Sequence, residues 1–362
     1  MTTTSSAKAP PVGGDPAPET PASPLGVLDP RTWLRRSTPA ASVAGREGRH
    51  TVVDRLLDLG VYAALVALFV YFAVASPYFL SQRNLLNVGS AVAVTGVLAA
   101  GMTIALIAGQ LDLTVGANVG IVSVVVALLI ESSGLPTPVA VIGGLLVGAL
   151  IGLLNSALVV VLGINSIIAT LAFSIALRGL ALIFTDGQVK PLTNTALQDA
   201  VTERFIGVPV SVWVLVLVYV AAWVVMGFTR SGWHIYGVGG NASAALRSGI
   251  KVRRVYTAVF VTTGVLAAIG GIITAGNSGS GGPNYANGAE FDVLTAVLLG
   301  GIGLNGGSGK IARTLAGVLV IGILNNGLTL LSVDTYYQQL ARGAVFVLAV
   351  ILGAVSERRR AR

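Results

Sequence analysis

The sequence predicts an all-α, polytopic transmembrane bundle of about ten spans, built on an inverted internal repeat and interrupted by broken helices. Three observations carry that prediction. The chain is 54% hydrophobic and only 10% charged, where a soluble domain averages about 25% charged. Apolar runs recur at about 20 residues, the length that crosses a hydrocarbon core about 30 Å thick. Lysine and arginine gather in segments that fall on one side once the runs are threaded through a bilayer. Cysteine is absent, which rules out a disulfide framework, a thiol nucleophile and cysteine metal sites. The two histidines, His50 and His234, stand far apart on polar segments, so no metal-ligand cluster is visible. The net charge of +8 reflects basic residues held at a membrane face rather than a nucleic-acid partner.

Residues 1–54 read as a disordered cytoplasmic tail, rich in Ser, Thr, Pro, Ala and Gly. They lack the apolar core and small-residue cleavage site of a signal peptide. The membrane domain occupies 55–356, with spans at 58–76, 87–108, 114–131, 138–160, 166–185, 210–228, 255–275, 291–303, 313–331 and 337–355. A basic C-terminal tail, 357–362, follows. With both termini inside, 18 of the 23 Lys and Arg residues lie on the cytoplasmic side. Arg83, Lys190 and Arg204 fall outside, and Arg178 and Arg342 lie within spans. The expected location is the plasma (bacterial inner) membrane, multi-pass, with N and C termini cytoplasmic. The eighth span is short and runs into Gly300-Gly-Ile-Gly-Leu-Asn-Gly-Gly-Ser-Gly309, which predicts a half-helix.

Ile151-Gly-Leu-Leu-Asn-Ser-Ala-Leu158 in the fourth span echoes Ile321-Gly-Ile-Leu-Asn-Asn-Gly-Leu328 in the ninth, with five of eight positions identical. Arg178-Gly179 and Arg342-Gly343 recur in the spans that follow. Matching spans are five apart, an odd number, so the copies cross in opposite senses, as transporter repeats do. Asn155, Asn325 and Asn326 are therefore polar candidates for a translocation path. Arg178 and Arg342, expensive within lipid, either face the path, pair within the bundle or snorkel. Gly109-Gln-Leu-Asp-Leu-Thr-Val-Gly116 joins two spans with almost no polar linker. This predicts unwound chain where protein or a cavity covers it. Asp112 either caps the next helix through its carboxylate or lines the path. Gly144, Gly148 and Gly152 offer a small-residue face for close helix packing.

Between the sixth and seventh spans lies a basic, glycine-punctuated segment, 229–254. Asn241 is a good N-cap, 242–247 favours helix, and Gly249 can end it in the left-handed conformation. A helix of about two turns is marginal in water and needs a docking partner. Gly301-Ile-Gly-Leu-Asn-Gly306 matches a dinucleotide fingerprint in letters only, because an apolar helical run precedes it instead of a strand. Gly309-Lys310 has Leu304 where a phosphate loop needs its first glycine and Ile311 where it needs Ser or Thr. No ATPase site is expected in this chain.

Four segments in order resemble the simple-sugar (ribose-type) ABC transporter permeases over residues 55–355. Residues 109–116 are similar to that family's Gly-Gly-Ile-Asp-Leu-Ser-Val-Gly motif, with Gln110 where glycine is usual. Gly239–Ile250 is similar to its cytoplasmic loop, and Leu299–Gly309 and Leu324–Leu328 complete the set. The resemblance implies the permease component of a binding-protein-dependent transport system. Its implied partners are cassette ATPase subunits, an extracytoplasmic solute-binding protein and a second permease copy, as a homodimer, in the lipid bilayer. It implies an ATPase-coupling role for Gly239, Gly240, Asn241, Ala244, Ala245, Arg247, Ser248 and Gly249. It further implies no cofactor or metal bound by this chain, with ATP and Mg handled by the separate subunit. The expected solute is small and polar, a monosaccharide first among them. Permeases for branched-chain amino acids or nucleosides, and a secondary transporter driven by an ion gradient, stay open as alternatives. The last would need intramembrane carboxylates such as Asp112, Glu290 and Asp292.

Overall fold

The computed structural model describes residues 1–2 and 52–360. The tail expected over 1–54 therefore lies outside the described residues, apart from Met1, Thr2 and its last three positions. Over 52–360 the chain forms a helical membrane bundle. Its helices are α1 (Val52–Ala75), α2 (Gln82–Ile107), α3 (Val115–Glu131), α4 (Thr137–Ser156), α5 (Ser166–Thr185), α6 (Ala196–Thr202) and α7 (Val210–Phe228). They continue with α8 (Arg230–Gly240), α9 (Ala242–Arg247), α10 (Val252–Ser278), α11 (Ala289–Leu299), α12 (Ile311–Leu330) and α13 (Thr335–Arg360). The ten expected spans correspond to α1–α5, α7 and α10–α13. Helices α2, α4 with its extension, α5, α7, α10 and α12 are long and apolar enough to cross a membrane on those grounds alone.

The centre is built on α2 and α10. From Gly96 to Ile107 every residue of α2 is buried, as an all-round apolar helix requires. Helix α3 packs on α4 and α5, and α11 packs on α12 and α13. Helix α10 lies against α3 and α4 as α2 lies against α11 and α12. Helices α2–α5 thus repeat as α10–α13, the pairing that the sequence echo anticipates. Glycines seal the α4–α10 seam. A Cβ at Gly148 would lie 2.5 Å from the Gly264 carbonyl oxygen, and one at Gly152 would lie 2.7 Å from Val261 Cα. Small residues at that spacing let backbones approach, and packing of this kind holds helices together where lipid offers no hydrophobic drive.

Short elements tie the connections at the opposite end from α8 and α9. Strand β1 (Lys190–Pro191) pairs antiparallel with β4 (Ser280–Gly281), and β2 (Arg204–Phe205) pairs with β3 (Val208–Pro209). The Glu131 carboxylate accepts from Thr193 N–H at 2.7 Å, Thr193 Oγ1 at 2.6 Å and Asn194 N–H at 3.0 Å.

Several boundaries differ from expectation. Helix α1 begins at Val52, inside the segment assigned to the tail, and α13 continues through 357–360, so the C-terminal tail starts as helix. Helix α4 is prolonged by a π turn over Ala157–Val161. The eighth span is α11, eleven residues or about 16 Å long, half of a crossing. The 229–254 segment holds two helices where one was expected. Thr229 caps α8 by accepting from Gly232 N–H at 3.3 Å. Asn241, extended at φ −160°, breaks the chain and then caps α9 by accepting from Ala244 N–H at 2.9 Å. Gly249 ends that helix at φ +85°.

Candidate functional site

The unwound 108–114 segment returns into the bundle from the end of α2. Its backbone is satisfied from α5: Leu111 N–H donates to Ser166 Oγ at 3.3 Å, and Leu113 N–H donates to Thr170 Oγ1 at 3.1 Å. Such partners are what irregular chain at this depth requires. Asp112 is fully buried. Its Oδ1 accepts from Thr114 N–H at 3.0 Å, Thr114 Oγ1 at 2.5 Å and Asn155 Nδ2 at 3.3 Å. Its Oδ2 accepts from Thr263 Oγ1 at 2.6 Å. Of the two roles considered for Asp112, the geometry supplies the first, and it adds a tie between helices. It takes up a free N–H before α3, and it ties α3 to α4 and α10 through Asn155 and Thr263. Asn118, one turn into α3, donates from Nδ2 to the Gly264 carbonyl at 3.1 Å.

The first turns of α3 and α11 touch. A Cβ at Gly116 would lie 2.9 Å from the Ala286 carbonyl oxygen and would collide with the Glu290 carboxylate. Two helix N-termini thus face one another within the bundle, each fed by irregular chain. The repeat-related arginines close over this point. Arg178 Nη2 donates to Glu290 Oε1 at 2.6 Å, and Arg342 Nη1 donates to Asp292 Oδ2 at 3.4 Å. Both arginines are paired, and their carboxylates sit on one turn of α11.

The remaining asparagines separate. Asn326 and Asn84 exchange reciprocal amide hydrogen bonds at 2.8 and 3.0 Å, joining α12 to α2. Asn325 stays apart. Four buried acceptor oxygens, Asn118 Oδ1, Asn155 Oδ1, Glu290 Oε2 and Asn325 Oδ1, have no donor among the described residues.

At the other end of the same loop three glycine segments meet backbone to backbone. Gly307 N–H donates to the Ile107 carbonyl at 2.8 Å. A Cβ at Gly306 would lie 2.8 Å from Gly109 Cα, and one at Gly307 would lie 2.6 Å from Gly240 Cα. A Cβ at Gly239 would overlap the Ile107 carbonyl oxygen. Tyr236 Oη donates to the Gly309 carbonyl at 2.8 Å, and burial pushes that hydroxyl's pKa up, which keeps the proton on the donor. The end of α8, the turn before Asp112 and the segment after α11 therefore form one junction. Gly239 and Gly240 are part of it, whereas Asn241 and Ala244 build the α9 cap. Ala245, in the same helix, is 6% exposed and faces its own chain. Leu246 is 54% exposed, and it stands with Arg247, Ser248 and Gly249 on the outward side.

Sequence reasoning alone did not single out Thr263, Asn84, Asn118, Tyr236 or Leu246 for these roles. Thr114 had a signal, since it occupies a hydroxyl position of the 109–116 motif.

The profile of the family described as branched-chain amino acid transport system / permease component matches residues 84–350. The chain is 40% identical over 298 residues to the ribose import permease protein RbsC of Bacillus subtilis, covering 81% of this chain and 92% of that one. It is 35% identical over 319 residues to the ribose import permease protein RbsC of Escherichia coli, covering 86% and 97%. It is 30% identical over 368 residues to the xylose transport system permease protein XylH of Escherichia coli, covering 84% and 94%. No solved structure matches the chain.

Proposed function

The chain belongs to the branched-chain amino acid transport system / permease component family, and from that premise we propose that it moves a monosaccharide inward as the membrane subunit of an ATP-driven ABC importer. Similarity to ribose and xylose permeases over more than four-fifths of the chain supports the sugar. Buried acceptors without donors suit a ligand rich in hydroxyl donors. The observation that carries the mechanism is the glycine junction, which joins the α8–α9 segment to the loop holding Asp112 and to the end of α11.

In this reading both termini are cytoplasmic, and α9 seats Leu246 and Arg247 in a groove of a cassette ATPase. ATP and Mg stay on that subunit, and this chain holds no nucleotide site of its own. An extracytoplasmic binding protein delivers the sugar, and a second copy of the permease completes a homodimer. Closure of the ATPase pair displaces α8 and α9. Direct backbone contact passes the displacement to the 108–114 loop and the N-termini of α3 and α11. The paired arginines hold the other end of that passage. Sugar shifts the equilibrium only through different affinity for the outward- and inward-open states, so a weak internal site serves release.

Purification of the tagged chain from its own membranes in mild detergent tests this. A cassette ATPase is expected to accompany the wild type and to be lost from Leu246→Glu, which places a charge on the exposed face of α9. Absence of an ATPase from the wild type, under conditions that preserve a control complex, overturns the reading.

A further inference from the structure

A cleft of about 410 Å³ opens between α7, α8 and α10, at the end of the bundle where basic residues collect. Its floor is apolar, formed by Ile104, Val225 and Val259, and its rim carries Arg254, His234 and Ser231. The cleft contains no residue of the Asp112 network, the arginine pairs or the glycine junction. Arg254 has no carboxylate partner among the described residues. From Arg204 to Ala289 the sequence holds no Asp or Glu, while Arg230, Arg247, Lys251, Arg253 and Arg254 crowd the segment beside the cleft.

Its surroundings have the character of a membrane boundary. Val224 and Val225 of α7 are exposed, and Trp223 stacks edge-on against Phe228, with ring centres 4.9 Å apart. Trp233 of α8 is 71% exposed, while Ile235 and Val238 of the same helix are buried. Exposed tryptophan beside basic residues marks the headgroup level of a bilayer. An occupant must offer an anion to the rim and apolar carbons to the floor.

We propose that this cleft is a binding site for an anionic phospholipid of the adjoining leaflet. The phosphate lies against Arg254, His234 and Ser231, and the first acyl carbons lie on Ile104, Val225 and Val259. Charge complementarity selects the lipid over an acidic protein segment, because the basic rim stands over an apolar floor that continues onto the exposed face of α7. The bound lipid braces α8, whose far end is the Gly239–Gly240 part of the junction. Only the naming of the leaflet as cytoplasmic depends on the orientation proposed above.

The test incorporates the full-length chain into vesicles of mixed phosphatidylglycerol and phosphatidylcholine, extracts it in mild detergent, and quantifies retained lipid by mass spectrometry. The wild type is expected to retain phosphatidylglycerol over phosphatidylcholine. Arg254→Gln should lower that preference about fivefold, the worth of one basic residue at an anionic surface. Arg83→Gln, the same charge change at the opposite end, should leave it unchanged. Ala258→Trp fills the cleft without altering charge and should also lower it, with the variant monodisperse on size exclusion. Equal loss in Arg254→Gln and Arg83→Gln overturns the site, as does full retention in Ala258→Trp. Displacement of the lipid by millimolar inorganic phosphate would make this a free-anion site and overturn the lipid assignment. Retention of neither lipid by the wild type, with the cleft crosslinking to an ATPase subunit, assigns it to a protein partner instead. The outcome does not depend on which solute is transported.

Discussion

Arg178 donates to a carboxylate that is 112 positions away in sequence and 2.6 Å away in space. The Glu290 side chain is 8% exposed and that of Arg178 is 30% exposed, so the pair is largely withdrawn from solvent. Removing one partner of such a pair leaves a charge stranded, at a cost of about 3–5 kcal/mol. Arg178→Ala is therefore expected to lower the apparent unfolding temperature in detergent sharply. Arg178→Ala combined with Glu290→Gln should recover most of the loss, because no unpaired charge remains. A double variant as unstable as the single one would show that Arg178 acts by packing rather than by neutralising Glu290. Sequence exposed the arginines, since an ionisable residue in an apolar run is conspicuous. It hid their partner, since nothing local to Glu290 encodes a contact made through the fold. Asp112 was legible for a related reason, being a charge in an apolar run, and Thr114 shared its motif, but the donor from α10 was not legible. Thr263 is ordinary in a membrane helix until geometry brings it to that carboxylate.

At the scale of elements, the short helices and the half-helix carry the proposed coupling. Helix α9 was legible because its stop and start signals are side chains: Asn241 as the cap, Gly249 as the terminator. Helix α8 was not. Gly232, Gly237, Gly239 and Gly240 give it poor intrinsic propensity, and it forms by packing against α7 and α2. Gly232 and Gly239 have a steric purpose. A Cβ at Gly232 would lie 2.6 Å from the Met226 carbonyl oxygen, and Gly239 has no room beside Ile107. Gly239→Ala is expected to cut sugar uptake by tenfold or more, equivalent to about 1.4 kcal/mol of lost coupling, while an ATPase subunit still co-purifies. Gly249→Ala is the contrast. Open space surrounds that position, so the left-handed conformation alone costs about 1–2 kcal/mol, and uptake should stay near wild type. Equal loss in both variants would mean that the junction transmits nothing specific.

For the whole molecule, the two halves set four helices of one against four of the other in opposite sense, with the N-termini of α3 and α11 meeting between them. The echo in sequence survives in α4 and α12 and in α5 and α13, where Asn and Arg-Gly are distinctive. It has faded in α2 and α10, where packing demands only small and apolar side chains and many sequences satisfy it. That is why the helical membrane bundle and its repeat could be read from the chain, while the central α2–α10 contact and the glycine junction could not. In the function proposed above, ATP closure on a partner subunit, rather than an ion gradient, drives sugar through this bundle. Uptake of labelled ribose into cells carrying the chain with its transport partners separates the two drives, with ATP depleted in one arm and a protonophore added at constant ATP in the other. Uptake is expected to stop when ATP is depleted and to persist with the protonophore. Uptake that outlasts ATP but collapses with the proton gradient would make the chain an ion-driven transporter instead.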